Sequence, residues 1–475
     1  MAVSKVRING STIVDMTDAT AEAGHIISPY TAYGADGRKK IGNRIKVNGE
    51  IYQDNEGYIV LPNNDVSVDE DKDVVFIDYD GTVIASYSET EFGQLTALPA
   101  NPFHEGLTAQ GWNWTLEDAK SYVISNHYLV IGQLYVPTDG KTHIYVTVGQ
   151  DEHIRPLTVS FLLKRQSSIS SRDVIFSWGD DVSGTYSLPS NNTAVTCSHS
   201  YDTPGNYDIS IQLSEGLTAA IQSVDNDSIS DIRVGIGMVR IGVNTDAGFN
   251  RCHYLETVTL HNAFTTFGTY SFSNCNRLKA IVLPGTLTDI ANYSFEACVS
   301  LKYISVTKNL TRVGSGGIGG SRLVAFSYPE GFTSTQSFSG YRHLRRLGLP
   351  TTITSFNSVA YCVSMEKIYF HEGLINITGD AFRGVQSLYS VTLPSTLASI
   401  ANNTFYGLPG SKAVMELHLK STTPPTLNAA NAIDAMTGNR RIYVPYSADH
   451  SVLQAYLDDT NWSTRASYIQ EEPQS

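Results

Sequence analysis

The most regular feature of the chain is an apolar pattern that returns every 21–23 residues. Its anchor is a leucine or methionine, with a second apolar residue three positions later and a third two positions after that. An aromatic residue stands six positions before most anchors. The anchors are Leu255, Leu278, Leu301, Leu323, Leu344, Met365 and Leu388.

Each unit predicts one short strand with alternating sides. Val258 and Leu260 would face inward, and Thr257 and Thr259 outward. A unit of this length cannot bury its apolar side alone. Units stacked at a strand spacing of about 4.8 Å form a continuous core with a parallel sheet along one side. The pattern therefore predicts a solenoid.

Four of the five cysteines occupy one position of the repeat, three residues before an anchor. Such a column could be a metal site, a disulfide framework or a ladder of buried thiols. Because the chain has no Cys-x-x-Cys pair, we expect buried thiols, with no metal and no cofactor. The four are Cys252, Cys275, Cys298 and Cys362, whereas Cys197 lies outside the repeats.

Segments such as FSNCNRLKAIVLPGTLTDIANYSF and FRGVQSLYSVTLPSTLASIANNTF resemble the BspA-like class of leucine-rich repeats. The resemblance covers residues 247–470 and implies a repeat solenoid at 231–425 with a cap at 426–475. The unit at 316–337 departs from it, since Ile318 replaces the aromatic residue and two glycines shorten the turn. We expect local irregularity there.

A second resemblance concerns residues 174–212. A strand ending in Trp178-Gly179-Asp180, followed by Tyr201 and a Pro-Gly-x-Tyr corner, resembles a PKD-type β-sandwich. The resemblance implies a PKD/Ig-like sandwich at 156–230 in which these residues are structural.

Composition agrees with a mainly β, multidomain chain. Apolar residues make up 41% and charged residues only 17%, and threonine, serine, tyrosine and glycine are abundant. Ahead of the sandwich we expect an N-terminal segment at 1–50 and a small adaptor module at 51–155, which is either α+β or β-rich. Residues 1–155 carry 22 acidic and 11 basic side chains, whereas 247–402 carry 7 and 12. This basic excess is too dispersed to predict nucleic-acid binding.

The segment VRINGSTIVDMTDATAEAGHIISPYTAYGADGRKKIGN resembles the start of tail and fibre proteins from phages of Gram-positive hosts. We see no signal peptide and no apolar run of the ~20 residues that span a bilayer. Together these features predict a virion protein whose residues 1–50 bind other tail proteins. The alternatives are a BspA-like adhesin on the bacterial surface and a structural virion decoration protein.

Residues 74–83, VVFIDYDGTV, resemble the first motif of haloacid-dehalogenase-type phosphotransferases. In that family Asp78 would be the nucleophile and Asp80 the general acid. The rest of the chain lacks the alternating strands and helices and the lysine that the chemistry needs, with only one good helix, at Leu116–Ser125. We interpret Asp80-Gly81 as a hairpin turn and expect no enzyme.

Binding residues are predicted on the outward side of the repeat strands. Arg346 and Lys367 would lie on neighbouring strands with aromatic side chains alongside, suited to an anionic surface polymer. Paired tryptophans could instead form a sugar-stacking platform, although core packing is the commoner role. The candidates are Tyr303, Arg346, Lys367, Tyr369, Trp112 and Trp114.

The expected partner is a polysaccharide or protein of the host bacterial surface, with no membrane insertion. Many phage fibres are trimers, so a homotrimer is possible, although no coiled-coil heptads specify one.

Overall fold

A computed structural model describes residues 72–149, 156–170, 172–190, 193–224, 227–246, 248–405, 416–433 and 440–473, and six short strands before them. The chain divides into two compact units, Met1–Lys72 and Asp73–Ser475. In the first, four strands form an antiparallel sheet of order β2-β1-β3-β4, and two more form a hairpin. The predicted attachment segment, 1–50, lies outside the described residues apart from four strands. These are β1 Lys5–Ile8, β2 Ser11–Asp15, β3 Thr31–Tyr33 and β4 Lys39–Lys40. The hairpin consists of β5 Tyr52–Gln53 and β6 Ile59–Val60.

The second unit begins with a small α+β module, residues 73–137, called the adaptor below. Its mixed sheet has the order β8-β7-β10-β9, in which β7 and β8 form an antiparallel hairpin and β10 runs parallel to β7. One side of this sheet packs on both helices. The elements are β7 Val74–Ile77, β8 Val83–Tyr87, α1 Glu89–Gly93, β9 Leu107–Trp112, α2 Leu116–Asn126 and β10 Leu129–Pro137.

Nine strands then form a two-sheet sandwich. They are β11 Thr142–Val148, β12 Thr158–Arg165, β13 Asp173–Ser177, β14 Ser183–Ser187, β15 Val195–Ser200, β16 Gly205–Leu213, β17 Ala219–Ser223, β18 Ile229–Arg233 and β19 Met238–Asp246.

The Trp-Gly-Asp turn and the tyrosine corner are structural. Trp178 is buried, and the Tyr201 hydroxyl donates to its carbonyl oxygen at 2.8 Å. Gly179 has a φ of +86°, and a Cβ there would lie 2.8 Å from the backbone oxygen of Asp208. Only glycine fits this crossing.

The sandwich sheets continue directly into the solenoid. The first has the order β14-β13-β16-β11-β18-β20, and the second β15-β12-β17-β19-β21. Ile232 of β18 is in parallel register with Val258 of β20. One apolar core therefore runs from Ile144 to Ile469, and the sandwich closes the front end of the solenoid.

The predicted repeat strands are confirmed, and they form the first solenoid sheet. Equivalent residues pair in register, such as Ile281 with Ile304 and Leu347 with Ile368. These strands are β20 Thr257–Thr259, β22 Ala280–Val282, β24 Tyr303–Ser305, β26 Ala325–Ser327, β27 Arg346–Gly348, β29 Lys367–Ile368, β31 Ser390–Leu393, β33 Glu416–Leu419 and β35 Arg441–Val444.

Most repeats also contribute a second, shorter strand, which the sequence analysis missed. Most of these strands have only two residues, too few for an alternating pattern to be visible. They are β21 Thr266–Thr269, β23 Asp289–Ile290, β25 Arg312–Val313, β28 Ser355–Phe356, β30 Asn376–Ile377, β32 Ser399–Ile400 and β34 Thr426–Leu427. In the repeat at 316–337 an isolated bridge, Ser334 with Ser355, stands where most repeats have a second strand, in line with the expected local irregularity. Strand pairing is also interrupted at other junctions, such as those between β20 and β22 and between β29 and β31.

The far end is closed by α3 (Ser451–Asp458), a 3-10 helix (Ser463–Tyr468) and β36 (Ile469–Glu471), which pairs with β35. Trp462 is fully buried, and its indole nitrogen donates to the Pro425 carbonyl at 2.8 Å.

The cysteine column is buried and makes hydrogen bonds that its spacing did not suggest. All five cysteines are free thiols. The Sγ of Cys275 donates to the Phe249 carbonyl of the preceding turn at 3.2 Å, and Cys298 donates likewise to Phe272. Burial raises the pKa of the Cys362 thiol to about 12, so it stays protonated at neutral pH.

We predict that Cys275→Ala lowers the free energy of unfolding by about 1–2 kcal/mol, because a small cavity forms and one donor is lost. Denaturant unfolding measures the change. Adding reductant or chelator to the wild type should leave its midpoint unchanged. A large fall in that midpoint would contradict the thiol ladder.

Candidate ligand-binding surface

The outward side of the first solenoid sheet, here the outer sheet face, is half covered by the adaptor. The side of the adaptor sheet opposite its helices packs on strands β22 to β26 in an apolar layer. The adaptor side of this layer comprises Val75, Ile77, Tyr128, Val130 and Leu134, and the solenoid side Ala280, Val282, Tyr303 and Ala325.

Small residues allow the two sheets to approach closely. A Cβ on Gly132 would lie 2.5 Å from both Cγ atoms of Val282. The hydroxyls of Ser305 and Ser327 donate to the carbonyls of Val130 and Tyr128, each at 2.8 Å. These hydrogen bonds satisfy carbonyl groups that the contact removes from water.

Longer side chains just before α2 and within it form hydrogen bonds at the edge of the contact. The indole nitrogen of Trp114 donates to the Val306 carbonyl at 2.7 Å, and the Tyr122 hydroxyl donates to the Tyr328 carbonyl at 2.5 Å. Asn113 donates to the Leu283 carbonyl at 3.0 Å. Each joins the adaptor to a residue just past a repeat strand.

Four of the six predicted binding residues are engaged by this packing. Tyr303 is 3% exposed and Arg346 is 4% exposed, and the Arg346 guanidinium pairs with Asp73 at 3.2 Å. Trp114 is 5% exposed. Trp112 is half-buried in the adaptor, and its ring centroid lies 4.9 Å from that of Phe76. These four side chains do not form an open surface: the adaptor covers Tyr303 and Arg346, and Trp112 and Trp114 pack in the core of the adaptor.

The other two predicted residues, Lys367 and Tyr369, lie where the cover ends. Both are exposed, and they border a trough of about 730 Å³ over β31. Ser390 and Thr392 form its floor, and their short side chains leave the space open. We call this space the trough; it is lined by His127, Glu366–Glu372, Tyr389, Ser390, Thr392 and Lys420.

The adaptor supplies one wall of the trough. His127 ends α2 in a left-handed conformation, and its Nδ1 lies 3.0 Å from an oxygen of Glu89. Its ring centroid is 4.4 Å from that of Tyr369. The adaptor therefore covers half of the outer sheet face, and its His127 forms a side wall next to the open half.

The surroundings of the trough shift the pKa values of His371, Glu372 and Tyr369. Burial lowers the pKa of His371, whose Nε2 donates to the Leu349 carbonyl at 3.1 Å, so the ring is neutral at neutral pH. Partial burial opposes the charge of Glu372, but hydrogen bonds from Ser395 and Thr396 hold its pKa below the ordinary value. Burial and the Asp73 carboxylate raise the pKa of Tyr369.

Sequence reasoning missed Tyr389, His371 and Lys420. Tyr389 is 54% exposed and precedes the outward positions of β31, whereas His371 and Lys420 follow their strands. Extending the outward column four residues beyond Lys367 would have reached His371. The trough can offer aromatic rings, a neutral imidazole, carboxylates and ammonium groups to a polar ligand.

Comparison with known families identifies the repeats. Residues 224–340 and 351–432 match the model of the BspA type leucine rich repeat region, in six copies. The solenoid is a BspA-type repeat region. No curated protein matches the chain.

Solved structures that match part of this chain include bacterial leucine-rich repeat proteins. A leucine-rich repeat protein from Bacteroides ovatus is 15% identical over 49% of this chain and 68% of its own, with a TM-score of 0.33. A leucine rich cell surface protein from Faecalibacterium prausnitzii is 15% identical over 47% and 98%, with a TM-score of 0.19. The pneumococcal vaccine antigen PcpA is 13% identical over 56% and 97%, with a TM-score of 0.23.

Asp78 and Asp80, ahead of the BspA-type region, lie in the turn between β7 and β8, which confirms the predicted hairpin. They are not equivalent. Asp78 is 3% exposed, accepts from the Tyr79 backbone at 2.8 Å and pairs with His104 at 2.6 Å. Asp80 accepts only from the exposed Thr82 backbone among the described contacts. The ammonium group of Lys120 donates to the carbonyls of Gly93 and Leu95.

Within the described ranges there is no group of three or more potential metal-ligating side chains. None of the helices described there is long and apolar enough to cross a membrane.

We predict that Asp78→Asn lowers stability by about 1–2 kcal/mol, because a buried charge-assisted hydrogen bond weakens, and that Asp80→Asn changes it by less than about 0.5 kcal/mol. A turn position alone would predict small and equal effects for both variants, but the Asp78 carboxylate is buried, so the two should differ. Thermal unfolding compares the two. Neither variant should alter phosphate-ester hydrolysis with Mg²⁺, and hydrolysis by the wild type that Asp78→Asn abolishes would overturn the expectation of no enzyme.

Proposed function

We propose that the chain is an adhesion protein of the bacterial surface, and that its trough binds a carbohydrate of the surface it adheres to. The observation that carries this proposal is the half-covered outer sheet face. The adaptor closes the strands β22 to β27 and leaves a concave, polar and aromatic space over β31. BspA-type repeats over 224–340 and 351–432 support an adhesin.

The composition of the trough favours a sugar over an apolar ligand. Tyr369 and Tyr389 are 43% and 54% exposed, so their rings are available to stack on the apolar side of a pyranose. Glu372 and Lys420 offer acceptors and donors to hydroxyl groups. The strands on either side of β31 stand about 10 Å apart, wide enough for one sugar chain.

We predict that Thr392→Trp and Tyr369→Ala each reduce binding to a bacterial surface oligosaccharide at least tenfold, as expected for a blocked floor or a lost stacking ring of about 1.4 kcal/mol or more. Binding of the full-length protein to an array of bacterial glycans, followed by titration of the best one, measures the effect. Both positions are exposed, so melting temperatures should stay close to the wild-type value.

Tyr446→Ala is the matched control, because Tyr446 is a tyrosine of similar exposure, 45%, outside the trough. Its affinity should equal that of the wild type. Full affinity in Thr392→Trp would exclude the trough as the binding site.

A second candidate is the same adhesive role on a phage tail or fibre. It rests on residues 1–43, which resemble phage tail proteins, and on the division of the chain at Lys72 into a separate front unit. Residues 1–50 would then bind other tail proteins, in a homotrimer if the protein follows other fibres.

Electron microscopy with an antibody against the solenoid distinguishes the settings. We expect label on bacterial cells for a surface adhesin. Label on tail tips would show that the protein belongs to the virion instead. Label on heads would indicate a decoration protein and contradict adhesion.

A further inference from the structure

Two exposed arginines stand on the turns that precede the repeat strands and have no acidic partner among the described residues. Arg322 and Arg342 are exposed, one and two residues before consecutive anchors, and His343 beside them is also exposed. Within residues 248–405, all of which are described, neither arginine makes an ion pair. Several other arginines of the solenoid are paired: Arg277 with Glu256, Arg312 with Asp289, Arg345 with Glu366 and Arg383 with Asp380. Arg251 has no ion pair among the described residues.

The turn spacing holds these side chains close together. Equivalent positions of adjacent turns are about one strand spacing, ~4.8 Å, apart, so Arg322 and His343 are neighbours. Arg342 directly precedes His343, so the two guanidinium groups border the same hollow, and salt screens the repulsion between them only in part. A bound anion would remove it.

The cations border a hollow of about 280 Å³. None of the described residues that line it is acidic. Gly340, with a φ of +83°, lies in its lining, and a Cβ there would meet nothing within 4 Å. Ala297 and Tyr361 adopt the same left-handed conformation at the equivalent position of other turns. The turn therefore tolerates a side chain, and glycine leaves the hollow open.

We propose that this hollow binds a tetrahedral oxyanion, a phosphate or sulfate group carried on a surface glycan. Two guanidinium groups can each donate paired hydrogen bonds to such a group. A hollow of this size admits one charged group with the sugar or polyol that carries it, and the patch is too small for the basic stripe of a nucleic-acid site. The hollow shares no lining residue with the trough, so this is a second, independent site.

The test measures binding of three probes to the full-length protein by calorimetry: a sulfated tetrasaccharide, a glycerol-phosphate hexamer and inorganic sulfate. We compare the wild type with Arg322→Gln/Arg342→Gln and with Arg277→Gln/Arg312→Gln, which removes the same charge from paired arginines. At least one polymeric probe should bind the wild type. The first double variant should weaken it at least about tenfold, and the control less than twofold.

The arms separate the alternatives. Equal losses in both double variants would reduce the effect to net charge and overturn the site. Inorganic sulfate that binds as tightly as the polymers would overturn a glycan ligand. A dissociation constant above about 1 mM for both polymers would overturn it as well. Unchanged melting temperatures in both variants confirm that folding is not the cause.

Discussion

The stacking of strands at one fixed spacing is the constraint on which the rest of the molecule depends. A single repeat leaves its apolar side exposed, so each turn needs a neighbour on both sides. The ends are the difficulty, and the chain closes them in two ways. The sandwich donates the strands β18 and β19 to the solenoid sheets, and the C-terminal segment covers the last turn with Trp462 and Tyr456.

The same stacking creates a flat outer sheet face, and the outward side chains along it influence where the adaptor packs. Where the outward positions are Ala280, Val282 and Ser305, the adaptor sheet packs directly on the strands. Where Lys367 and Tyr369 replace them, the outward side chains are exposed. The cover includes the long Arg346 side chain, which pairs with Asp73, and it stops at Lys367 and Tyr369. Burying a long polar group costs free energy unless a partner is supplied.

Much of the fold could be predicted from the sequence, because the repeat is a local, periodic signal. Leu278 and Leu301 sit in the core as their spacing indicates, and the α2 helix follows its apolar pattern. The adaptor contact left no such signal. The hydrogen bond between Asn113 and Ser305 joins residues 192 positions apart in the sequence. A single glycine such as Gly132 gives no indication in the sequence of the residue that it will contact. Arg346 and Lys367 occupy one repeat position, so the sequence alone could not separate a buried cation from an exposed one.

The partial cover also resolves a problem that solenoids face as binding proteins. A flat sheet exposes side chains but offers little concavity, and ligand sites are usually concave because they must remove much of a ligand from water. The edge of the adaptor over the sheet is formed by His127, whose ring packs against Tyr369. The short residues Ser390 and Thr392 lie on the next strand. The wall and the floor therefore come from parts of the chain more than 250 residues apart. A fragment of the solenoid without residues 73–137 would keep the floor and lose the wall, and it would expose Val282 and Tyr303 to water.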